Sequence, residues 1–255
     1  MKQYKGYLID LDGTMYRGTE KIAAASDFVK SLVEANIPYL FLTNNSTRTP
    51  EQVASKLNEF DIPANSEQVF TSSLATANYI YNLQKGAKIY CIGEEGLFAA
   101  LEEYGFQMAK EDADYVVVGL DREVTYEKFA IACLAIRNGA KFISTNGDIA
   151  LPTERGFMPG SGSLAALVSC STATKPVTIG KPENIITDLA LKVLGTKKEE
   201  TLMVGDNYDT DILAGMNAGI DTLLVLTGVT TVEQLQKIDK QPTHIIQSLD
   251  EWKVK

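Results

Sequence analysis

The chain has 255 residues, 45% hydrophobic and 22% charged, a globular composition with room for one large domain or two ordinary ones. Its 33 acidic and 24 basic residues give a formal net charge of -9, so its average field repels nucleic acid and anionic lipid. The N-terminal segment lacks the apolar stretch of a signal peptide, and no apolar run is long enough to span a membrane. We therefore expect a cytoplasmic protein that binds neither nucleic acid nor membrane.

Cysteine and histidine are too scarce to support several common kinds of site. Cys91, Cys133 and Cys170 are far apart and lack the spacing of a disulfide framework or a zinc site, so we expect each to be a small core residue. The single histidine, His244, lies in a short strand-like segment near the C-terminus. Because catalytic triads and zinc sites use histidine beside other groups, carboxylates, hydroxyls and lysine are expected to carry the chemistry.

Short apolar segments alternate with amphipathic helical patterns along the chain, which predicts a parallel sheet covered by helices. Thr49 followed by Pro50 indicates the start of a helix, and Ser72 or Ser73 is expected to cap the next one. Another helix is expected across 211–218. Strands are predicted at 6–10, 38–43, 69–71, 88–93, 115–119, 141–145, 201–205 and 221–226.

The alternation restarts near residue 87, and no linker rich in proline, glycine and serine separates the two blocks. This pattern favours an insertion within one domain over two successive domains. The prediction is an α/β protein with a doubly wound, Rossmann-like parallel-sheet core from 1–77 and 179–255. A smaller α/β domain, here called the cap, is predicted at 78–178.

Two acidic residues, Asp10 and Asp12, follow the first predicted strand in the sequence Asp-Leu-Asp-Gly-Thr. The period of two along a strand predicts that both side chains project to the same side at the carboxyl end of the sheet, where open α/β sheets bind their ligands. Two carboxylates this close repel each other unless a cation lies between them or one takes a proton. The pair therefore indicates metal binding, proton transfer or both, with an acidic turn as the alternative.

A second acidic group follows the apolar strand at 201–205 and contains Asp206, Asp209 and Asp211. Asp206 is expected to reach the space above Asp10, whereas Asp209 is expected to support the next helix or face solvent. Asp211 could be a group that lies behind the direct metal ligands, or an acid in the first turn of a helix. Carboxylate ligands without sulfur or imidazole suit Mg²⁺, which keeps waters and bridges a substrate phosphate.

Polar groups also follow the second predicted strand, where Thr43, Asn44 and Asn45 offer hydroxyl, amide and backbone N–H donors. Such a cluster can hold phosphate oxygens, although it can also be an ordinary turn. Lys181, between Gly180 and Pro182, is a surface lysine on the simplest interpretation. The two acidic groups, which need positive charge nearby, and an anionic ligand favour a role for it as the cation of the site instead.

The order of these motifs resembles the haloacid dehalogenase superfamily of phosphotransferases. The resemblance rests on Asp-Leu-Asp-Gly-Thr at 10–14, the strand-end Thr43, Lys181 and the acids spaced from 205 to 211. Thr-Asn-Asn after the second strand, Gly-Lys-Pro and the long insertion resemble the NagD-like, or para-nitrophenylphosphatase-like, branch. The resemblance implies a phosphatase with a cap that sets substrate specificity.

The resemblance further implies that Asp10 is the nucleophile that forms an aspartyl phosphate, and that Asp12 is the general acid and then the general base. It implies that Mg²⁺ is held by Asp10, the backbone carbonyl of Asp12 and Asp206, with Asp211 as a direct or outer ligand. The expected substrate is a small phosphorylated metabolite, such as a sugar phosphate or a nucleoside monophosphate.

The remaining roles that the resemblance implies concern substrate binding. Thr43 and the backbone N–H of Asn44 would bind phosphoryl oxygens while Lys181 neutralises charge at phosphorus, and Asn45 and Asn207 are further candidates. In the cap, a loop across 145–162 is expected to lean over the site and then open a helix, which makes Asn146 and Asp148 candidates for contacts with the leaving group. Relatives of this kind often dimerise through their caps, so a homodimer is a further expectation.

Two alternatives to hydrolysis remain open at this point. A phosphomutase or other phosphotransferase of the same superfamily would retain the aspartyl phosphate until a second molecule accepts the phosphoryl group. A phosphorylatable signalling module also gathers acids and a lysine at strand ends. Asp12 favours hydrolysis, because a stable phosphorylated signal gains nothing from a base that activates water.

Overall fold

The computed structural model describes residues 2–153 and 155–254. The chain folds into two compact units. The first comprises Met1–Thr43, Pro50–Phe70 and Lys181–Lys255, and the second comprises Asn44–Thr49 and Thr71–Gly180. Within the described ranges, no helix combines the length and the apolar character that crossing a membrane requires. The predicted cap, 78–178, lies inside the second unit, and its role in specificity stays a prediction.

The strands of the described residues, in chain order, are β1 (Gly6–Ile9), β2 (Tyr16–Arg17), β3 (Glu20–Lys21), β4 (Tyr39–Thr43), β5 (Val69–Thr71), β6 (Lys88–Ile92), β7 (Gln107–Met108), β8 (Tyr115–Val118), β9 (Lys141–Ser144), β10 (Ala150–Thr153), β11 (Gly156–Pro159), β12 (Val177–Thr178), β13 (Thr201–Gly205), β14 (Asp221–Val225) and β15 (His244–Ile246).

The α-helices are α1 (Ala23–Glu34), α2 (Pro50–Glu59), α3 (Ser72–Leu83), α4 (Glu95–Glu103), α5 (Tyr126–Arg137), α6 (Ser161–Thr172), α7 (Asn184–Leu194), α8 (Leu213–Ala218) and α9 (Val232–Leu235). A π-helical turn, Tyr208–Ile212, leads directly into α8, so the helix predicted across 211–218 begins as this wider turn.

The first unit contains a six-stranded sheet with the order β15-β14-β13-β1-β4-β5. The neighbouring strands from β15 to β4 run parallel. All residues of β1, β4 and β13 are buried, as expected for strands that are covered on both faces. Because β1 lies between β13 and β4, the segments that leave the carboxyl ends of these three strands emerge side by side at one edge.

The second unit contains a five-stranded parallel sheet with the order β12-β9-β8-β6-β7. Its core includes residues of β6, β8, α5 and α6, among them Ile92, Val116, Cys133 and Val168. Both units are parallel sheets with helical connections, so the predicted α/β fold is confirmed.

Three details differ from the sequence predictions. The N-cap of α3 is Thr71, whose hydroxyl accepts from the Leu74 N–H at 3.1 Å, whereas Ser72 and Ser73 lie inside the first turn. Of the three cysteines predicted to lie in the core, Cys133 is buried, Cys91 is half-buried and Cys170 in α6 is exposed. The predicted loop at 145–162 contains the antiparallel hairpin β10–β11, which precedes the expected helix.

Candidate active site

Four of the predicted charged residues converge in the first unit. Asp10 follows β1, Asp206 follows β13, Asp211 lies in the π-helical turn, and Lys181 precedes α7. All four are buried, with exposed fractions of 8%, 1%, 1% and 2% respectively. Buried charges are rare in proteins unless they are paired or bind an ion, so this cluster is the strongest candidate for the functional site.

Lys181 is the centre of the ion pairs in this cluster. Its Nζ lies 2.6 Å from Asp10 Oδ1 and 2.7 Å from Asp211 Oδ1, and it also donates to the Leu42 carbonyl at 3.0 Å. Burial lowers the pKa of Lys181, but the charges of Asp10 and Asp211 outweigh burial and raise that pKa above its usual range. The interpretation of Lys181 as a surface side chain is therefore wrong, and the lysine is charged.

Asp10 and Asp206 bind protons more tightly than exposed carboxylates do. Burial, followed by the charge of Asp211, raises the pKa of Asp10 well above its usual range in spite of Lys181. The same two causes raise the pKa of Asp206 to about 6. One ammonium group is therefore not enough to stabilise all three carboxylates as anions.

A divalent cation fits this donor set. Asp10, Asp206 and Asp211 each offer a carboxylate oxygen, and these three oxygens lie within 4.8 Å of one another. Three carboxylates and one ammonium group sum to a charge of about minus two, which one divalent ion would balance. Hard oxygen donors without sulfur or imidazole match Mg²⁺.

Asp12 has a different environment from Asp10. The strand β1 ends at Ile9, and Gly13 has a φ of 94°, so the chain turns away within this short segment. The side chain of Asp12 is exposed while that of Asp10 is buried. Strand alternation therefore does not extend to Asp12, and Asp12 lies outside the buried carboxylate cluster.

Several groups that hold the acids were not singled out from the sequence. The Thr14 hydroxyl lies 3.3 Å from Asp10 Oδ2 and 3.2 Å from Asp206 Oδ1. The backbone N–H of Val229, in the loop after β14, donates to Asp206 Oδ2 at 2.7 Å. A threonine after Asp-Gly could have been noticed, but no sequence signal identifies a backbone donor.

The other predicted residues of the first unit lie near these elements. Thr43 is buried at the carboxyl end of β4, beside β1 in the sheet. The Asn207 backbone N–H donates to Asp211 Oδ2 at 3.1 Å, and its side-chain oxygen accepts from the Asp209 N–H at 3.0 Å. Asn207 thus stabilises the turn that carries Asp211.

Asn44, Asn45, Asn146 and Asp148 belong to the second unit. The Asn44 side-chain amide is 3.2 Å from each carboxylate oxygen of Asp148, and the Asn146 amide donates to the Asn44 carbonyl at 2.8 Å. The side-chain oxygen of Asn45 accepts from the N–H groups of Thr47 and Arg48. The structure therefore brings three of these residues together, while Asn45 stabilises a turn.

The chain matches two family models, one in its N-terminal part and one in its C-terminal part. Residues 7–107 match a family described as haloacid dehalogenase-like hydrolase, and residues 178–252 match one described as HAD-hydrolase-like. The chain is 64% identical over 252 residues to the 5'-nucleotidase YutF of Bacillus subtilis (strain 168), which covers 99% of this chain and 98% of that protein. It is 54% identical to the acid sugar phosphatase of Staphylococcus aureus (strain MRSA252), over 98% of this chain and 97% of that one.

Solved structures agree with these relatives. A double mutant of the thermostable NPPase from Geobacillus stearothermophilus superimposes with a TM-score of 0.95 at 67% identity, covering 100% of both chains. The p-nitrophenyl phosphatase from Archaeoglobus fulgidus gives a TM-score of 0.92 at 34% identity, covering 97% of both chains. The chain therefore belongs to the haloacid dehalogenase-like hydrolases, in their NagD-like branch, and is a phosphatase that hydrolyses phosphoric monoesters.

Proposed function

We propose that the chain is a Mg²⁺-dependent phosphatase that acts on small phosphorylated metabolites through an aspartyl phosphate on Asp10. The observation that carries the proposal is the buried cluster of Asp10, Asp206 and Asp211 with Lys181. Such a cluster is unfavourable without a bound cation, because burial and the neighbouring carboxylate of Asp211 already raise the pKa of Asp10 and of Asp206.

Asp10, Asp206 and the backbone carbonyl of Asp12 would hold Mg²⁺, with Asp211 as a direct or outer ligand. When bound, the ion would screen the repulsion between the carboxylates and the substrate phosphate. Lys181 adds a fixed positive charge from the protein itself, and its bonds to Asp10 and Asp211 orient both carboxylates. This charge favours the approach of an anionic substrate to an anionic nucleophile.

In the first step an oxygen of Asp10 attacks phosphorus and the bond from phosphorus to the ester oxygen breaks. The protonated carboxyl group of Asp12 gives its proton to the departing oxygen, and the leaving group departs as an alcohol. The burial of Asp10 and the exposure of Asp12 suit these roles, since an acid that serves a leaving group and then water must be accessible.

In the second step the carboxylate of Asp12 takes a proton from water, whose oxygen attacks phosphorus. The bond from phosphorus to the Asp10 oxygen breaks, inorganic phosphate is released and the Asp10 carboxylate is restored. Thr43 and the N–H of Asn44 are proposed to bind the phosphoryl oxygens during both steps, with Asn45 and Asn207 as further contacts. Positioning and charge account for most of the rate enhancement in phosphoryl transfer.

The substrate class is proposed to be sugar phosphates, nucleoside monophosphates or similar small esters. The names of the relatives support this range, because one is a 5'-nucleotidase and others are acid sugar phosphatases. The cap is proposed to read the leaving group through Asn146 and Asp148. A location in the cytoplasm and a homodimer through the cap also remain proposals. Substrate preference is tested by comparing wild type and Asp148→Asn on a panel of phosphorylated metabolites.

The covalent mechanism is tested with p-nitrophenyl phosphate and Asp10→Asn. We expect turnover by the wild type only with Mg²⁺, release of inorganic phosphate, and a mass increase of one phosphoryl group on the peptide that contains Asp10 after rapid acid quenching. Asp10→Asn keeps the size of the side chain but removes the nucleophile, so activity should fall by several orders of magnitude. A variant within about tenfold of wild type would contradict the proposal.

A further inference from the structure

We propose that the loop Thr227–Thr230, after β14, is a positioning element that holds Asp206 in the orientation needed to bind the metal ion. The inference rests on the proposed function, in which Asp206 is a ligand of Mg²⁺. No motif in the sequence pointed to this loop, whose Thr-Gly-Val-Thr sequence is typical of an ordinary turn. Its contacts, in contrast, are directed at Asp206 and at the turn that carries Asp10 and Asp12.

The first contact is between the loop backbone and the Asp206 carboxylate. The Val229 N–H donates to Asp206 Oδ2 at 2.7 Å, while the Thr14 hydroxyl lies 3.2 Å from Oδ1. Each carboxylate oxygen therefore has one fixed partner and keeps a lone pair for a cation. The side chain of Val229 is 61% exposed, so the contribution of this residue comes from its backbone.

The second observation is the close approach of Gly228 to the same carboxylate. A Cβ at Gly228 would overlap the carboxylate of Asp206 and lie 2.8 Å from its Cβ. The backbone of Gly228 does not have a positive φ, so the requirement for glycine is one of space. A Cβ at Gly13, on the Asp10 side, would also overlap the Asp206 carboxylate. Two glycines thus confine the side chain of Asp206.

The third observation is that the loop forms hydrogen bonds both with the segment that carries Asp206 and with the segment that carries Asp10 and Asp12. The Thr230 N–H donates to the Asp206 carbonyl at 3.1 Å, and the Thr230 hydroxyl accepts from the Tyr208 N–H at 2.8 Å. At the other end, the Thr227 hydroxyl donates to the Gly13 carbonyl at 2.7 Å, and Arg17 Nε donates to the Thr227 carbonyl at 2.6 Å. A shift of the loop would therefore move Asp206 relative to Asp10.

The test measures metal binding without substrate, using Mn²⁺ as the probe. The loss of the free-ion electron paramagnetic resonance signal gives its Kd, and competition gives the Kd for Mg²⁺. Groups that orient a metal ligand are typically worth about 10–100-fold in metal affinity. We expect Gly228→Ala and Thr227→Val each to raise the Kd by about tenfold or more. Thr227→Ser keeps the hydroxyl and should restore the affinity.

Kinetics give a second readout that a purely structural role would not produce. The Mg²⁺ concentration for half-maximal activity should rise in Thr227→Val while kcat at saturating Mg²⁺ recovers. Val232→Ala trims a side chain that is 46% exposed on the following helix and serves as the control for general effects in this region. Circular dichroism and a thermal melt establish that each variant is folded.

Two different failures can be distinguished. If the wild type and Asp206→Asn bind Mn²⁺ equally, Asp206 is not a ligand and the proposed metal site is wrong. If Asp206→Asn loses affinity but Thr227→Val binds as tightly as the wild type, the metal site stands and the positioning role of the loop is refuted. Should Gly228→Ala fail to fold, the comparison of Thr227→Val with Thr227→Ser decides the matter.

Discussion

Replacing Lys181 by methionine tests whether the buried ion pairs hold the active site together. Methionine has a similar length and no charge, so the change removes the ammonium group with little loss of volume. In the wild type that group contacts Asp10 Oδ1, Asp211 Oδ1 and the Leu42 carbonyl at 2.6, 2.7 and 3.0 Å. All of these contacts are buried, so water cannot replace the lost partner.

Removing one partner of a buried ion pair typically destabilises a protein by about 3–5 kcal/mol. Proton uptake limits this cost, because the pKa of Asp10 is already raised and would rise further without the lysine. We therefore expect a loss near the lower limit, about 3 kcal/mol at pH 7.5, or about 6–12 °C in the melting temperature. A carboxyl whose pKa is raised in the folded state favours folding at low pH, so the deficit should shrink as the pH falls.

The assay is urea unfolding followed by circular dichroism, at about pH 7.5 and about pH 5.5, with Mg²⁺ removed. Lys237→Met, at an exposed lysine, is the matched control. Turnover of p-nitrophenyl phosphate by Lys181→Met should fall by about 10²–10³-fold, as for the loss of one electrostatic stabiliser. Unchanged stability at both pH values would refute the assigned ion pairs, and unchanged turnover would refute the catalytic role of the charge.

Three further predictions follow from individual contacts. Asp12→Asn should lower kcat for an alkyl phosphate by about 10²–10⁴-fold and for p-nitrophenyl phosphate by much less, since p-nitrophenolate leaves without a proton; equal losses would argue against an acid role. Because Tyr4 donates its hydroxyl proton to Asp221, His244 must donate to Tyr4 from Nε2, and burial lowers the pKa of this histidine. Nitrogen-15 NMR of the single imidazole should show the Nε2–H tautomer with a midpoint below 6.5, so that acidification through this range destabilises the fold. Mg²⁺ competes with protons for carboxylates such as that of Asp206, whose pKa is about 6. The rise in melting temperature that Mg²⁺ produces in calorimetry should therefore be smaller at about pH 5 than at about pH 7.5, and an equal rise at both pH values would count against the site.

The sequence was sufficient to predict the sheets because their strands are continuous apolar runs. The buried strands β1, β4 and β13 carry the least ambiguous pattern, and Asp10, Thr43 and Asp206 lie at their carboxyl ends as predicted. The hairpin β10–β11 was not predicted, because its residues are largely exposed and two prolines interrupt it. The two strands pair through their backbones, and because both are largely exposed their side chains show no alternation of apolar and polar residues in the sequence.

The surroundings of the acids were harder to predict than the acids themselves. Val229 contributes only its N–H, Gly228 contributes the absence of a side chain, and neither property distinguishes these residues from those of other turns. Lys181 illustrates a second limit, since its burial depends on carboxylates that are 30 and 171 residues away along the chain. Such long-range pairing becomes visible only when the strand order is known.

The different roles proposed for Asp10 and Asp12 follow from the backbone that separates them. Because β1 ends at Ile9, Asp10 is the last residue held by the sheet, and its N–H donates to the Val204 carbonyl of β13 at 2.9 Å. Gly13, with its positive φ, turns the chain so that Asp12 is exposed. A nucleophile benefits from a fixed, dry position beside a cation, whereas an acid that becomes a base must exchange its proton with the leaving group and with water. One strand end and one glycine thus give two identical side chains, two residues apart, the separate environments that a two-step hydrolysis requires.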